Sequence, residues 1–342
     1  MSQNLKLKPL AEQVIVITGA SSGIGLSTAR MAARKGAKVV AVARNAEALA
    51  ELEREVAGSG GTLSHVAADV SQREEVDRIV ATTIKRHGGF DTWVNDAAVS
   101  IYGRLEQIPA DEARRLFDVN FWGYVHGSLA AARHLRGRTG AAGAIVNVGS
   151  TVSERAMPLQ GMYAASKHAV KGFTDALRME LEEEGAPVSV SLVKPGSINT
   201  PFTEHARNHM DRQPTYPPPV YDPSVVASVI LHCAEHPTRD AFAGWGGKKN
   251  ALMGRVAPRL TDLVMERMHF ASQRKDEPPR RPQGNLYAHA GGGPRERGDY
   301  AGHVRRTSAF SQASLHPGLT ATVLGTAGLL LAAGALAGSG RR

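Results

Sequence analysis

Short apolar runs alternate with longer segments of helical periodicity through the first 246 residues. The apolar runs are rich in β-branched residues, which predicts strands buried on both faces of a sheet. Strands that alternate with helices form parallel sheets, and right-handed crossovers then place helices on both faces. The pattern therefore predicts an α/β fold with a doubly wound parallel sheet, the Rossmann fold. We interpret as strands 14–18, 38–43, 62–68, 91–95, 144–150 and 188–196, and as helices 23–35, a segment from 46, 72–87, 111–136, 160–184 and 223–236.

Residues 200–222 interrupt this alternation with a proline-rich segment. In open α/β sheets, long segments after the carboxyl ends of strands lie over the ligand crevice. We therefore expect a loop that covers a substrate site. The YPPP stretch at 216–219 can also be interpreted as a polyproline docking peptide.

The pattern changes again after residue 246, where the single predicted catalytic domain (10–246) ends. Residues 247–270 predict a helical extension interrupted at Pro258, and 271–316 predict a flexible basic linker. Residues 317–338 are 22 uncharged residues, enough for a helix to cross a hydrocarbon core of about 30 Å. We expect a membrane-anchor tail helix. Because glycine and threonine weaken its hydrophobicity, a low-complexity tail or a helix packed on a partner remains open.

Composition narrows the class of protein. The 342 residues are 42% hydrophobic and 21% charged, which excludes a disordered or fibrous chain. The one cysteine, Cys233, excludes an internal disulfide and favours a reducing compartment such as the cytoplasm. Residues 251–342 hold 13 Lys and Arg against 6 Asp and Glu, whereas the rest of the chain is nearly balanced. Because the excess lies in a Pro/Gly-rich tail, nucleic-acid binding is not predicted.

A glycine-rich turn, TGASSGIG (18–25), joins the first predicted strand to the first helix. Glycines permit a tight turn, and the free N–H groups of a helix N-terminus bind a pyrophosphate. A plain strand-to-helix turn is the alternative. The second strand ends at Ala43, where an NAD-specific fold usually places a carboxylate, and Arg44 follows. Because arginine pairs with a 2′-phosphate, we expect NADP(H) to be preferred over NAD(H), unless Arg44 is only a solvated residue.

Tyr163 and Lys167 lie one turn apart on a predicted helix, after a strand that ends near Ser150. His205 and His209 have a spacing that would suit two metal ligands on a helix. No third ligand is evident, so we interpret them as loop histidines and predict no metal.

Several motifs occur together in a characteristic order: TGASSGIG, VNDAA, the Asn of FDVNFWG, VGS, YAASK and KPGSINT. Over about residues 10–245 the chain resembles the short-chain dehydrogenase/reductase superfamily. The resemblance implies a Rossmann fold, NAD(P)(H) binding and the oxidation of alcohols or reduction of carbonyls. It implies that Tyr163 is the general acid/base, with Ser150, Lys167 and Asn120 completing a tetrad. The cofactor contacts that it implies, together with Arg44, are Gly19, Ser21, Ser22, Gly23, Ile24, Gly25, Asp69, Val70, Asn95, Ala97, Tyr163, Lys167, Pro195, Gly196, Ile198 and Thr200.

These roles agree with elementary chemistry. A free tyrosine titrates near pH 10, so we expect Lys167 and the nicotinamide cation to lower the pKa of Tyr163. Ser150 would bind the carbonyl oxygen, where negative charge develops. The resemblance gives Asn120 the ordering of a water near Lys167, although an isolated Asn can equally be a structural cap. The family's Asn-Asn-Ala-Gly segment is Asn-Asp-Ala-Ala at 95–98 in this chain.

The sequence thus predicts an NADP(H)-dependent oxidoreductase that interconverts an alcohol and a carbonyl. A lipophilic substrate follows if the tail enters a membrane that anchors a cytoplasmic catalytic domain. A non-catalytic NADP(H) sensor and a membrane scaffold that uses the basic linker are the alternatives. The family resemblance also implies a homodimer or homotetramer through helices 111–136 and 160–184.

Overall fold

The central feature of the fold is a seven-stranded parallel sheet with helices on both faces. The computed structural model describes residues 5–289, 291–315 and 320. The strand order is β11-β7-β6-β4-β1-β2-β3, which confirms the predicted α/β sheet. The strands are β1 (Val14–Thr18), β2 (Lys38–Ala43), β3 (Thr62–Ala67), β4 (Thr92–Asn95), β5 (Ile101–Tyr102), β6 (Gly143–Val148), β7 (Val188–Pro195), β8 (Ser197–Ile198), β9 (Arg207–Asn208), β10 (Val220–Tyr221), β11 (Asp240–Ala243) and β12 (Val304–Arg305).

The core forms a layer on each face of the sheet because successive side chains of a strand point to opposite sides. On β1, Ile15 and Ile17 pack into one cluster and Val14 and Val16 into the other. The helices are α1 (Gly23–Arg34), α2 (Ala46–Gly58), α3 (Arg73–His87), α4 (Ala110–Phe117), α5 (Gly123–Leu135), α6 (Gly161–Glu183), α7 (Pro223–Glu235), α8 (Trp245–Val256), α9 (Pro258–Ser272) and α10 (Ala309–Leu315).

The helix predicted over 111–136 is divided by a π-helical turn at Asp118–Trp122. Asn120, at the centre of this turn, donates to the Val99 carbonyl at 2.9 Å and accepts from the Val99 N–H at 2.8 Å. Such turns frequently occur at functional sites. Hydrophobic periodicity does not reveal the π-helical turn, because residues on either side of it, such as Leu116 and Tyr124, are still buried in the core.

The segment after residue 246 differs from the expected helix and free linker. The helical part forms α8 and α9, which meet at Ala257 because Pro258 begins a helix but cannot continue one. The described part of 271–316 lies against the catalytic domain. Gln273 and Leu286 are buried, and β12 pairs in parallel with β10. Composition suggested a linker because the segment is attached largely through polar and backbone contacts.

The predicted tail helix over 317–338 lies outside the described residues, apart from Thr320. Within 5–289 and 291–315, no helix is both long enough and apolar enough to span a membrane.

Candidate active site

One continuous cavity extends along the carboxyl edge of the sheet, from Arg44 after β2 to Tyr163 on α6. Parallel strands place their carboxyl ends at one edge, which is where ligands bind in open α/β sheets. Most of the predicted site residues line this cavity: Gly19, Ser21, Ser22, Gly23, Ile24, Arg44, Asp69, Val70, Ala97, Ser150, Tyr163, Lys167, Pro195, Gly196, Ile198 and Thr200.

The glycine-rich turn depends on two close approaches. Gly19 has φ +77°, and a Cβ there would lie 2.9 Å from the backbone of Ala97. A Cβ on Gly25 would lie 2.4 Å from the Gly19 carbonyl oxygen. Gly25 therefore packs against the turn and does not line the cavity, and its role as a cofactor contact stays a prediction.

Asn95 was also expected beside the cofactor, but its side chain is directed into the sheet. It accepts a hydrogen bond from Trp93 Nε1 at 2.7 Å and donates to Asn147 Oδ1 at 2.8 Å and Ser128 Oγ at 3.0 Å. This network joins β4, β6 and α5. Sequence identity with a family motif did not reveal which way the side chain points.

Asn120 has a comparable structural role through its side chain. Besides its two bonds to Val99, its Nδ2 donates to Ser166 Oγ at 3.2 Å. The side chain is fully buried. It therefore joins the π-helical turn to α6, as the structural-cap alternative envisaged, and the predicted ordering of a water stays a prediction.

Lys167 is held by two acceptors at the end of the cavity that contains Tyr163. Its Nζ donates to the Val148 carbonyl at 2.8 Å and to Tyr124 Oη at 3.0 Å. Nζ also lies 5.8 Å from the centre of the Tyr163 ring. The i,i+4 spacing on α6 thus brings the ammonium and the phenol to one site, as the sequence predicts.

Ser150 lies where β6 ends, at the N-cap of the 3₁₀ turn Thr151–Ser153. Its Oγ accepts the Val152 N–H at 3.2 Å, which orients the hydroxyl group. Ser150, Tyr163 and Lys167 all line the same end of the cavity.

Burial determines the protonation states of Tyr163 and Lys167 in the chain alone. Burial raises the pKa of Tyr163 above its ordinary value; the Ser150 hydroxyl opposes this, and Asp96 adds to it. Burial lowers the pKa of Lys167 to about 7, with Asp96 acting in the opposite direction. The chain alone therefore keeps Tyr163 protonated, and the lowering of its pKa by Lys167 together with the nicotinamide cation stays a prediction.

Asp96 has a half-buried carboxyl group that lines the same end of the cavity. Burial raises its pKa to about 7, although Lys167 and the Gly25 N–H act to lower it. In the motif of the resembled family, asparagine occupies this position. Asp96 lines the cavity wall, and sequence reasoning did not assign it to the site.

The opposite end of the cavity is lined by Arg44 and Asp69. Asp69 accepts hydrogen bonds from Arg115 Nη2 at 2.5 Å and from Ser71. Burial acts to raise the pKa of Asp69, but these bonds hold it below its usual value. Arg44 donates to backbone carbonyls of a segment that we call the C-terminal strap (residues 285–289 and 291–297).

Further residues of the site could not be assigned from sequence. They contact predicted site residues from distant parts of the chain, and no local motif marks them. They are Tyr124, which accepts from Lys167; Arg115, which bonds to Asp69; Tyr216, which bonds to Thr200; and Asn285 and His289, which line the cavity.

The proline-rich segment contributes to the wall near Tyr163. Tyr216 and Pro217 line the cavity, and the Phe202 ring lies 5.5 Å from the Tyr163 ring. Tyr216 Oη and Thr200 Oγ1 are 3.0 Å apart. This agrees with the expected loop over the substrate site.

The two candidate histidines face different surroundings. His205 lines the cavity, and burial lowers its pKa. His209 Nε2 lies 2.7 Å from Glu112 Oε2, on another element. Among the described residues, no group of three or more His, Cys, Asp or Glu side chains is arranged to hold a metal ion.

Comparison with known proteins gives this geometry a context. The family model for short chain dehydrogenases matches residues 13–211, which is more than half of the chain. This chain belongs to the short-chain dehydrogenase/reductase family. It is accordingly an oxidoreductase of that family. The C-terminal strap lies beyond the matched region.

Two relatives differ in how much of the chain they cover. The protein named uncharacterized oxidoreductase YxnA of Bacillus subtilis is 48% identical over 321 residues, covering 94% of this chain and 90% of its own length. That match takes in most of the segment after residue 246. The 11-beta-hydroxysteroid dehydrogenase A of Sesamum indicum is 37% identical over 57% of this chain and 55% of its own length.

Solved structures of the family share the fold. A short-chain dehydrogenase/reductase from Burkholderia phymatum, in complex with NAD, superposes with a TM-score of 0.63 at 25% identity, over 79% of this chain and 99% of its own. An alcohol dehydrogenase from Thermococcus sibiricus, complexed with 5-hydroxy-NADP, gives 0.59 at 26% identity, over 67% and 95%.

Proposed function

We propose that this oxidoreductase interconverts an alcohol and a carbonyl with NADP(H), and that Tyr163 is its general acid/base. The observation that carries the proposal is the single cavity that joins Arg44 at one end to Ser150, Tyr163 and Lys167 at the other. A dinucleotide needs a phosphate-binding turn between two such ends, and the turn from Gly19 to Ile24 lies between them.

Each catalytic side chain has a defined task in this proposal. A bound nicotinamide would supply or accept the hydride. In the direction of reduction, Tyr163 Oη donates its proton to the carbonyl oxygen, and in oxidation it accepts the alcohol proton. Ser150 Oγ donates a hydrogen bond to the same oxygen, where negative charge develops. Lys167 Nζ stabilises the phenolate that Tyr163 becomes after it has given up its proton.

The preference for NADP(H) rests on the charge at the other end of the cavity. Arg44 occupies the place after β2, and Arg115 lies nearby with Asp69 as its ion-pair partner. Because Asp69 is engaged by Arg115 and Ser71, it is not free to accept a ribose hydroxyl through the same lone pairs. Two guanidinium groups suit a 2′-phosphate better than a 2′-hydroxyl.

We extend the proposal to a lipophilic substrate. Met157, Val152, Phe202 and Pro217 contribute apolar surface near Tyr163, and Tyr216 adds a polar group. Two relatives are named 11-beta-hydroxysteroid dehydrogenase or 11-beta-hydroxysteroid dehydrogenase-like, which also supports a lipophilic substrate.

The cellular setting is also a proposal. A cytoplasmic catalytic domain anchored to a membrane by residues 317–338 would bring the enzyme close to such substrates. A homodimer or homotetramer through α5 and α6 is supported by large apolar side chains exposed on these helices and on the preceding turn, namely Trp122, Leu129 and Met179.

The test compares wild-type enzyme with Tyr163→Phe in NADPH oxidation with long-chain, steroidal and small polar carbonyls. Because the phenol is the proposed proton donor, we expect turnover to fall by about 10²–10⁴-fold in the variant. Tyr300→Phe, at a tyrosine outside the cavity lining, is the matched control. Tight NADPH binding without turnover in the wild type would refute the catalytic proposal and favour the sensor.

A further inference from the structure

The C-terminal strap runs past the carboxyl ends of β1 and β2 and contributes to the wall of the cavity. The Gly23 N–H at the start of α1 donates to the Arg295 carbonyl at 3.0 Å. Asn45, the N-cap of α2, donates from Nδ2 to the Gly292 carbonyl at 3.1 Å. The strap is therefore bonded to the same two helix N-termini that border the proposed cofactor site.

The strap also fixes the orientation of Arg44. Arg44 Nη1 donates to the carbonyls of Leu286 at 3.3 Å and Tyr287 at 3.2 Å, and Nη2 donates to that of Asn285 at 2.5 Å. A guanidinium group has five N–H bonds in a rigid plane. Within the described part of the chain, these contacts engage three of them and leave Nε–H and one Nη2–H to contact a ligand.

Arg115 reaches the same point of the strap from α4. Its Nε donates to the Leu286 carbonyl at 3.3 Å, so this one carbonyl accepts from both arginines. Its Nη1 and Nη2 donate to Ser71 Oγ at 2.7 Å and to Asp69 Oδ2 at 2.5 Å. The two guanidinium groups are thereby held close together by a neutral acceptor.

The charges in this cluster do not balance. Arg44, which lines the cavity, and Arg115, which is paired with Asp69, carry two positive charges, whereas Asp69 supplies one negative charge. Glu75 accepts the Asp69 N–H at 2.7 Å, but its charge is paired with Arg78. A phosphate monoester carries about 1.5 to 2 negative charges at neutral pH and three acceptor oxygens. A ribose hydroxyl carries no charge, so it would leave the excess positive charge uncompensated.

We propose that the C-terminal strap is a positioning element of the dinucleotide site, whose carbonyls hold Arg44 and Arg115 as a pair for the 2′-phosphate. This inference rests on the proposed NADP(H) preference and goes beyond it, because it assigns the preference to a segment outside the matched family region. Since the strap is bonded across the site, the cofactor enters and leaves when the strap is displaced.

The strap is anchored to the rest of the protein at the arginine contacts and again farther along the chain. Leu286 is 1% exposed and packs into a core cluster. Farther along, Glu296 pairs with Arg30 at 2.9 Å and Arg297 pairs with Asp222 at 2.7 Å. Removing the Leu286 side chain should therefore release the end of the strap that holds the arginines. The backbone carbonyl of residue 286, which accepts from both arginines, is retained in the variant.

The experiment measures NADPH and NADH dissociation constants and dissociation rates, by nicotinamide fluorescence, for the full-length wild type and for Leu286→Ala. We expect NADPH binding to weaken by about tenfold or more and NADPH release to accelerate, with NADH binding changed by less than about twofold. Leu260→Ala, at an exposed leucine of α9, is the matched control and should leave both cofactors unaffected.

The two proposals fail in different ways. A wild type that binds NADPH and NADH equally would refute the proposed cofactor preference. A wild type that prefers NADPH, with the preference and the release rate intact in Leu286→Ala, would refute the role of the strap alone.

Discussion

Replacing Asp96 by asparagine tests the reasoning about the half-buried carboxyl group. Asparagine has nearly the same shape, and its Oδ1 can still accept the Gly25 N–H that acts on Asp96. The substitution therefore removes a titratable charge while retaining the local packing. It also restores the residue type that the family motif has at this position.

The expected effect follows from the pKa of Asp96, which burial raises from 3.8 to about 7. That difference corresponds to at most about 4 kcal/mol of unfolding free energy. Because the folded pKa lies above the unfolded one, the contribution of Asp96 to stability is complete below pH 3.8 and is lost as the pH rises through about 7. Asparagine does not titrate, so the variant gains stability over the wild type across this range.

The assay is urea unfolding of wild type and Asp96→Asn at several pH values between 4.5 and 8. The difference in unfolding free energy should increase in favour of the variant up to about pH 7 and then remain constant. Loss of the carboxylate lowers the pKa of Lys167 further, which steepens the trend without changing its sign. Asp276→Asn, at a fully exposed side chain, controls for net charge. A difference that is independent of pH, or a variant less stable at pH 8, would refute the reasoning.

Two other substitutions test the geometry of the fold around the site. Gly25→Ala should lower the free energy of unfolding by about 1–3 kcal/mol and weaken NADPH binding, because the added Cβ would collide with the Gly19 carbonyl. Thermal unfolding measures the loss, and Gly172→Ala is the control because the space around Gly172 is open. Asp91→Asn should cost about 1.5–3 kcal/mol in urea unfolding at pH 7, because the buried Asp91 carboxylate pairs with the half-buried Arg138 at 2.5 Å and with Lys8 at 2.7 Å. A loss below about 0.5 kcal/mol would contradict this account.

The sheet and the proximity of Tyr163 to Lys167 could be predicted because their signals are local in sequence. Buried strands show as apolar runs, and the turn after β1 shows as glycines at fixed spacing. Tyr163 and Lys167 share a helix face at a spacing of four residues, which a sequence displays directly. In each case the residues that act together are also neighbours along the chain.

The contacts that complete the site could not be predicted because they join distant segments. Tyr124 and Lys167 are 43 residues apart, and Arg44 and Asn285 are 241 apart. The strap, moreover, acts mainly through backbone carbonyls, which every residue possesses. Composition could therefore indicate only that this segment is polar and rich in proline and glycine.

Asp96 shows how a departure from a family motif gains meaning once its surroundings are known. Asparagine at this position could make the Gly25 contact without a charge, so the carboxyl group lowers stability where the fold does not need it. Residues that lower stability in this way are concentrated at functional sites, where charge has a chemical use. The carboxyl group raises the pKa of both Lys167 and Tyr163, the two groups that handle the proton in the proposed reaction. The position of Asp96 in the cavity wall beside these two groups therefore favours a role in the chemistry of the site over a role in the packing of the turn.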